Sequence, residues 1–288
     1  MGKMEYQIEY AYTSHIGKIR ENNEDNFWCC GDTMSADNHG TYGVLEGKAA
    51  QSQYPLLAVF DGMGGESCGE VAAYLAADAC GRYYKENLSD LKEQPQQFLD
   101  QVCRSMNQAV CDYSAENRIR TMGTTAVMMA MGQESVFACN LGDSRLYESG
   151  EGKFSQISTD HVLRGGPFGK APLTQYVGIP EESMGIEPCI QQLECRPGYR
   201  YLLCSDGMTD MLSDGEIADI LTREIPVRET VKILLERALQ KGGRDNVTII
   251  LCEITEGTRK NRFFQWLENK RRLYGGQQNE KPDAGSGL

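Results

Sequence analysis

At 288 residues with 40% apolar side chains, the chain can bury a substantial core, as one large domain or two small ones. A net charge of −12 argues against nucleic acid as a partner, because phosphate backbones demand clustered Lys and Arg, so a polyanionic ligand would need metal ions or one well-placed arginine. Eleven cysteines without a CxxC read as reduced core thiols of a cytoplasmic protein, no signal peptide is visible, and no apolar run nears the roughly 18 residues of a membrane span.

Residues 5–12 (EYQIEYAY) alternate and predict a strand; the charged IRENNED stretch interrupts it, and residues 27–30 resume it in a hairpin-like opening. Residues 31–54 are polar and unpatterned and predict a loop. Residues 56–65, LLAVFDGMGG, follow: a buried strand that ends in Asp61 and a glycine-rich turn. Val71, Leu75 and Ala79 mark a helix over 66–85, and Phe98, Val102, Met106, Ala109 and Tyr113 mark a second. Beyond Gly123 the period turns to strands: TTAVMMAM, SVFACNL, 145–147 and 154–157, which predict an antiparallel meander. Residues 161–185 predict a Gly- and Pro-rich loop. Strands over 186–193 and 201–204, helices over 214–222 and 227–240, and a strand over 247–254 complete an α+β layered domain.

The tail differs in composition. Residues 255–288 hold seven basic and four acidic residues, a local +3 that leaves −15 for the rest. Residues 259–274 predict a basic amphipathic helix with Phe263, Trp266 and Leu267 on one side, packed on the body or free to meet a partner or membrane surface. The division expected is a domain over 1–255 and a basic helix with a disordered tail over 256–288, in a monomer.

The chemistry lies in acidic residues at strand ends. Asp61 ends LLAVF, and Asp206 ends YLLC in a second Asp-Gly-Met turn. Glu24 and Asp25 close IRENNED, Asp143 follows FACNL in GDSR, and Asp245 precedes the last strand in GGRDNVTII. Any one of these is an ordinary turn residue. Five such sites together would repel one another unless cations neutralise them, and oxygen ligands without His or Cys suit Mg²⁺ or Mn²⁺ rather than zinc. Two such ions sharing a carboxylate would direct a water onto phosphorus, which predicts metal-assisted hydrolysis.

The segments GKIRENNED, LAVFDGMGG, MGTTAV, CNLGDSR, LCSDGMTD and GGRDNVT resemble, in order, the motifs of the metal-dependent PPM (PP2C-type) protein serine/threonine phosphatases, bacterial members above all. The resemblance implies a PP2C-like α-β-β-α sandwich of two antiparallel sheets flanked by helices. It implies that Asp61 bridges two Mn²⁺ or Mg²⁺ ions, with Glu24 and the Gly62 carbonyl completing one site and Asp206 with Asp245 the other. Asp143 matches the ligand of a third, weaker ion, and Arg20 the arginine that grips phosphate. Asp25 reads as a partner that orients a metal-bound water, while Gly62, Gly64 and Gly65 tighten the turn. Phosphorylated proteins, the products of serine/threonine kinases, are the implied substrates. Thr124 and Thr125 read as core support without a chemical role.

Two departures stand out. Met63 takes the place where eukaryotic relatives often carry a histidine acid, and residues 160–174 are much shorter than the family's helical flap, with RGGPFGKAP in its stead. The shortened flap admits an alternative, a phosphatase-like domain that binds a phosphoprotein or regulator without turnover. A dinucleotide-binding turn at GMGGES is disfavoured, since it lacks the third glycine and Asp61 would face the pyrophosphate.

Overall fold

The computed structural model describes residues 6–63, 68–163 and 171–257. Gly64, Gly65, the centre of the shortened flap and the basic C-terminal segment lie outside the described residues. In chain order the elements are β1 (Tyr6–His15), β2 (Asp25–Cys29), β3 (Leu45–Ala50), β4 (Leu56–Met63), α1 (Gly69–Glu86), α2 (Leu88–Glu93), α3 (Pro95–Glu116), β5 (Gly123–Thr124), β6 (Ala126–Met131), β7 (Ser135–Leu141) and β8 (Arg145–Gly150). They continue with β9 (Lys153–Gln156), β10 (Cys189–Glu194), β11 (Arg200–Cys204), α4 (Asp206–Thr209), α5 (Asp214–Leu221), α6 (Val227–Gln240) and β12 (Val247–Glu256).

Two antiparallel sheets stack face to face. The first runs β3-β1-β12-β11-β8-β9; the second runs β10-β7-β6-β4-β2, with β5 paired to β4. Alternation along each strand explains the layering. In β4, Leu57 and Val59 enter the core between the sheets, while Leu56, Ala58 and Phe60 face the core beneath α1 and α3. In β12, Ile250, Cys252 and Ile254 face inward, and Ile249 and Leu251 meet the helices α4, α5 and α6. Strands covered on both faces bury every residue, so LLAVF and VTIILC read as unbroken apolar runs.

Helix α1 approaches its sheet closely because its buried face is alanine: Ala72, Ala73, Ala76, Ala77 and Ala79. At Gly81 even a methyl group would not fit, since a Cβ there would lie 2.2 Å from the Trp28 ring.

Three expectations change. Residues 31–54 contain β3, an edge strand whose LEGKAA sequence is half exposed with one buried residue and so carries no apolar alternation. The opening is no hairpin, because β1 and β2 lie in different sheets. The four strands from β6 to β9 are two hairpins, β6-β7 in one sheet and β8-β9 in the other. The chain changes sheets through Gly142, at φ +103°, which carries Asp143 across the end of the sandwich.

Candidate metal centre

The site is built where strand ends meet at one end of the sandwich. Strand β2 pairs with β4 in a register that sets Asp25 directly opposite Asp61. Facing carboxylates on adjacent strands repel, and Asp25 is buried as well. Burial first, and Asp61 second, push its carboxyl well above the ordinary range; hydrogen bonds from Ser205 and Thr248 oppose the shift. The Ser205 hydroxyl donates to Asp25 Oδ2 at 2.7 Å and accepts the Thr248 amide at 2.9 Å.

Glu24 precedes β2, and its carbonyl accepts the Gly62 amide at 3.0 Å. Its side chain lies over the start of α1, where a Cβ on Gly69 would come within 2.9 Å of the Glu24 carboxyl. Burial raises this carboxyl above its usual range; Arg20 pulls it down, and Glu70 and Asp245 push it up. Gly62 has no room for a side chain, because a Cβ would meet the Gly69 carbonyl at 2.1 Å and the Glu24 carbonyl at 2.5 Å.

The other half comes from the β11–α4 junction and the α6–β12 loop. Asp206 opens α4, and a Cβ on the next residue, Gly207, would lie 1.9 Å from the Asn246 carbonyl and 3.3 Å from Asp245 Cβ. Asn246 ties this loop to the first segment: its Oδ1 accepts the Glu24 amide at 2.8 Å, and its Nδ2 donates to the carbonyls of Ile16 and Asn22 at 2.9 Å each. Arg20 donates from Nη2 to Asp245 Oδ2 at 2.8 Å, a bond that keeps the guanidinium charged. The structure therefore places Arg20, Glu24, Asp25, Asp61, Gly62, Asp206 and Asp245 at one end of the sandwich. Asp143 sits beside them in the turn whose Ser144 hydroxyl lies 2.7 Å from Thr125 Oγ1.

Sequence reasoning missed the residues that hold the acids in place. Thr125, read as core support, accepts the Asp61 amide at its Oγ1 (3.0 Å) and donates its own amide to the Asp61 carbonyl (2.9 Å). His161 fixes the Asp143 turn by accepting the Gly142 amide at Nδ1 (3.2 Å) and donating its amide to the Gly142 carbonyl (3.0 Å). Glu70, also missed, turns a carboxylate toward the cluster, and its Oε2 is buried without a hydrogen-bond partner. Its signal was available: an acidic residue in the first turn of a helix that follows the glycine turn.

The donors are carboxylates and a backbone carbonyl, a hard oxygen set, and most of the carboxylates are half-buried. The partnerless Glu70 Oε2 and the facing pair Asp25 and Asp61 are costs that a divalent cation would relieve, so the residues fit Mg²⁺ or Mn²⁺. Among the described residues, no three His, Cys, Asp or Glu side chains are grouped closely enough as they lie to hold a metal ion.

Fold and site together define a metal-dependent phosphohydrolase built on a double antiparallel sandwich. Residues 45–247 match the Protein phosphatase 2C family, and the chain belongs to that family as an enzyme of the protein serine/threonine phosphatase class. It is 30% identical over 250 residues to the serine/threonine phosphatase Stp of Listeria innocua, covering 82% of this chain and 92% of that one. It is 30% identical over 269 residues to PstP of Mycobacterium tuberculosis, covering 89% of this chain and 47% of that longer protein. The crystal structure of the PstP catalytic domain in complex with two manganese ions superposes with a TM-score of 0.69 at 28% identity, over 87% of this chain and all of that one. A Streptococcus agalactiae serine/threonine phosphatase, at 23% identity and TM-score 0.71, shares the fold.

Proposed function

We propose that the protein hydrolyses phosphoserine and phosphothreonine on proteins phosphorylated by serine/threonine kinases, with two Mn²⁺ or Mg²⁺ ions and a third, weaker one. The observation that carries this reading is the register of β2 on β4, which sets the buried Asp25 opposite the half-buried Asp61 between two further acidic segments. Relatives named as serine/threonine phosphatases, and one solved with two manganese ions, support it. Glu24, Asp61 and the Gly62 carbonyl would hold one ion, Asp61 with Asp206 and Asp245 the second, and Asp143 the third.

When bound, the ions supply Lewis acidity toward the phosphoryl group and a hydrolytic nucleophile. The chain's own residues position and exclude. Arg20, steadied by Asp245, presents its guanidinium fork to phosphate oxygens. Thr125 fixes both backbone groups of Asp61, so its carboxylate cannot rotate away with the strand end. Asp25 receives the Ser205 hydroxyl and, beside Asp61, would orient the hydrolytic water. No protein acid stands at Met63. The phosphatase domain is taken as 1–255, monomeric and cytoplasmic, and no helix among the described residues is long and apolar enough to cross a membrane.

A phosphothreonine peptide assayed with Mn²⁺, with EDTA, and with the Asp61→Asn variant tests this. Turnover is expected only in the first case. Metal-independent turnover, or full activity in the variant, would overturn it.

A further inference from the structure

Next to the acidic site runs a strip of opposite sign. Residues 17–21 and 241–245 carry four basic and two acidic residues, a local +2 in a chain of net −12. The two segments are joined through their backbones. The Lys18 amide donates to the Gly243 carbonyl at 2.7 Å, and Gly17, at φ +85°, packs where a Cβ would lie 2.3 Å from the Asp245 carbonyl. Neither segment can move without the other, so the strip is fixed relative to Asp245 and Arg20.

Two of its four cations are engaged. Arg20 is paired with Asp245, and Lys241 with Glu216. Lys18 and Arg244 are exposed and form no ion pair among the described residues. They flank the same glycine pair: the Lys18 stem lies 3.3 Å from the place of a Cβ on Gly243, and the Arg244 stem 3.5 Å from that of Gly242. Between Lys18 and Arg20 stands Ile19, 68% exposed. The strip's acids are Asp245, which Arg20 occupies, and the exposed Glu21.

We propose that Lys18 and Arg244 are specificity-determining residues that dock acidic side chains flanking the phosphorylated residue of the substrate. The inference rests on the phosphoprotein-hydrolase reading. Lys18 is two residues from the phosphate-gripping Arg20 and Arg244 is next to Asp245, and an extended peptide advances about 3.3–3.6 Å per residue. Acidic residues within a few positions of the phosphate are therefore in reach of both cations. The chain's overall negative charge disfavours the approach of such peptides, and this strip offers them a local attraction next to the site.

Three phosphothreonine peptides of equal length, with acidic, neutral and basic flanks, test the proposal at low and high salt. The wild type is expected to show its lowest KM with the acidic peptide. In the Lys18→Ala/Arg244→Ala double variant that KM rises by up to about fivefold per lost cation at low salt, with kcat little changed, and the preference fades in high salt. The Lys18→Glu/Arg244→Glu variant reverses the preference toward the basic peptide, a result that loss of fold cannot mimic. An unchanged ratio of acidic to neutral kcat/KM in both variants overturns the docking role. Mn²⁺-dependent hydrolysis of p-nitrophenyl phosphate by the wild type separates the two readings: its absence defeats the phosphatase reading, and its presence with an unmoved ratio defeats this one alone.

Discussion

Ser205→Ala removes one oxygen from the interior and is the sharpest probe of how the site is held. That oxygen donates to Asp25 Oδ2 at 2.7 Å and accepts the Thr248 amide at 2.9 Å, with all three groups buried. Losing the hydrogen bond to the Asp25 carboxyl costs about 0.5–3 kcal/mol, the upper end for a charged acceptor, and a stranded buried amide about 1–3 kcal/mol. Partial relaxation keeps the two from adding fully, so a destabilisation of about 2–4 kcal/mol is expected. Urea unfolding in the presence of chelator measures it. With a slope of about 2–3 kcal/mol per molar, the midpoint falls by about 1 M or more at unchanged slope. Asp25→Asn in the same background removes the charge, and the double-mutant cycle is expected to return a coupling of about 1–2 kcal/mol. A loss below about 0.5 kcal/mol, or a coupling near zero, would refute the view that Ser205 sustains the Asp25 charge.

Gly62→Ala would press a methyl group into the carbonyls of Gly69 and Glu24, so phosphatase activity is expected to fall about a hundredfold with far-UV circular dichroism retained; near-normal kcat/KM would show the turn to be compliant. Gly81→Ala meets the Trp28 ring at 2.2 Å, and the overpacking cost of about 1–3 kcal/mol outweighs the gain of about 1 kcal/mol from helix propensity. Its melting temperature is expected to drop, with Trp28→Phe in the same chain restoring part of the loss. Burial lowers the His161 pKa against an opposing effect of Asp160. Below its unfolded value of about 6.5 the unfolded chain binds the extra proton first, so this contribution is present at higher pH and lost as pH falls. Thermal melts of wild type and His161→Asn between pH 7.5 and 5.5 should show the steeper decline in the wild type, and parallel curves would count against it.

Much of the site was legible because its acids stand where apolar runs stop. Asp61, Asp206 and Asp245 each have a glycine beside or close to them and a buried strand on one side, a pattern visible without coordinates. The residues that aim them were not legible. Ser205, Thr125 and Asn246 are common polar types whose roles come from cross-strand register, which no local pattern states. The division of β6 to β9 between two sheets was equally hidden, since a hairpin turn and a crossover through Gly142 use the same turn-forming residues. Arg20 was read as a phosphate fork, and the structure adds that it leans on Asp245.

The register that sets Asp25 against Asp61 also sets Phe27 against Val59 and Trp28 against Ala58. Those neighbours decide which side of the sheet is filled by the helix layer and which by the inter-sheet core. A slip by one position would exchange the two faces of β2 and break the carboxylate pair in the same movement. The carboxylate pairing and the core packing are thus a single choice made by one strand. A folding intermediate cannot carry a half-correct site: during refolding, activity should return in step with the burial of Trp28.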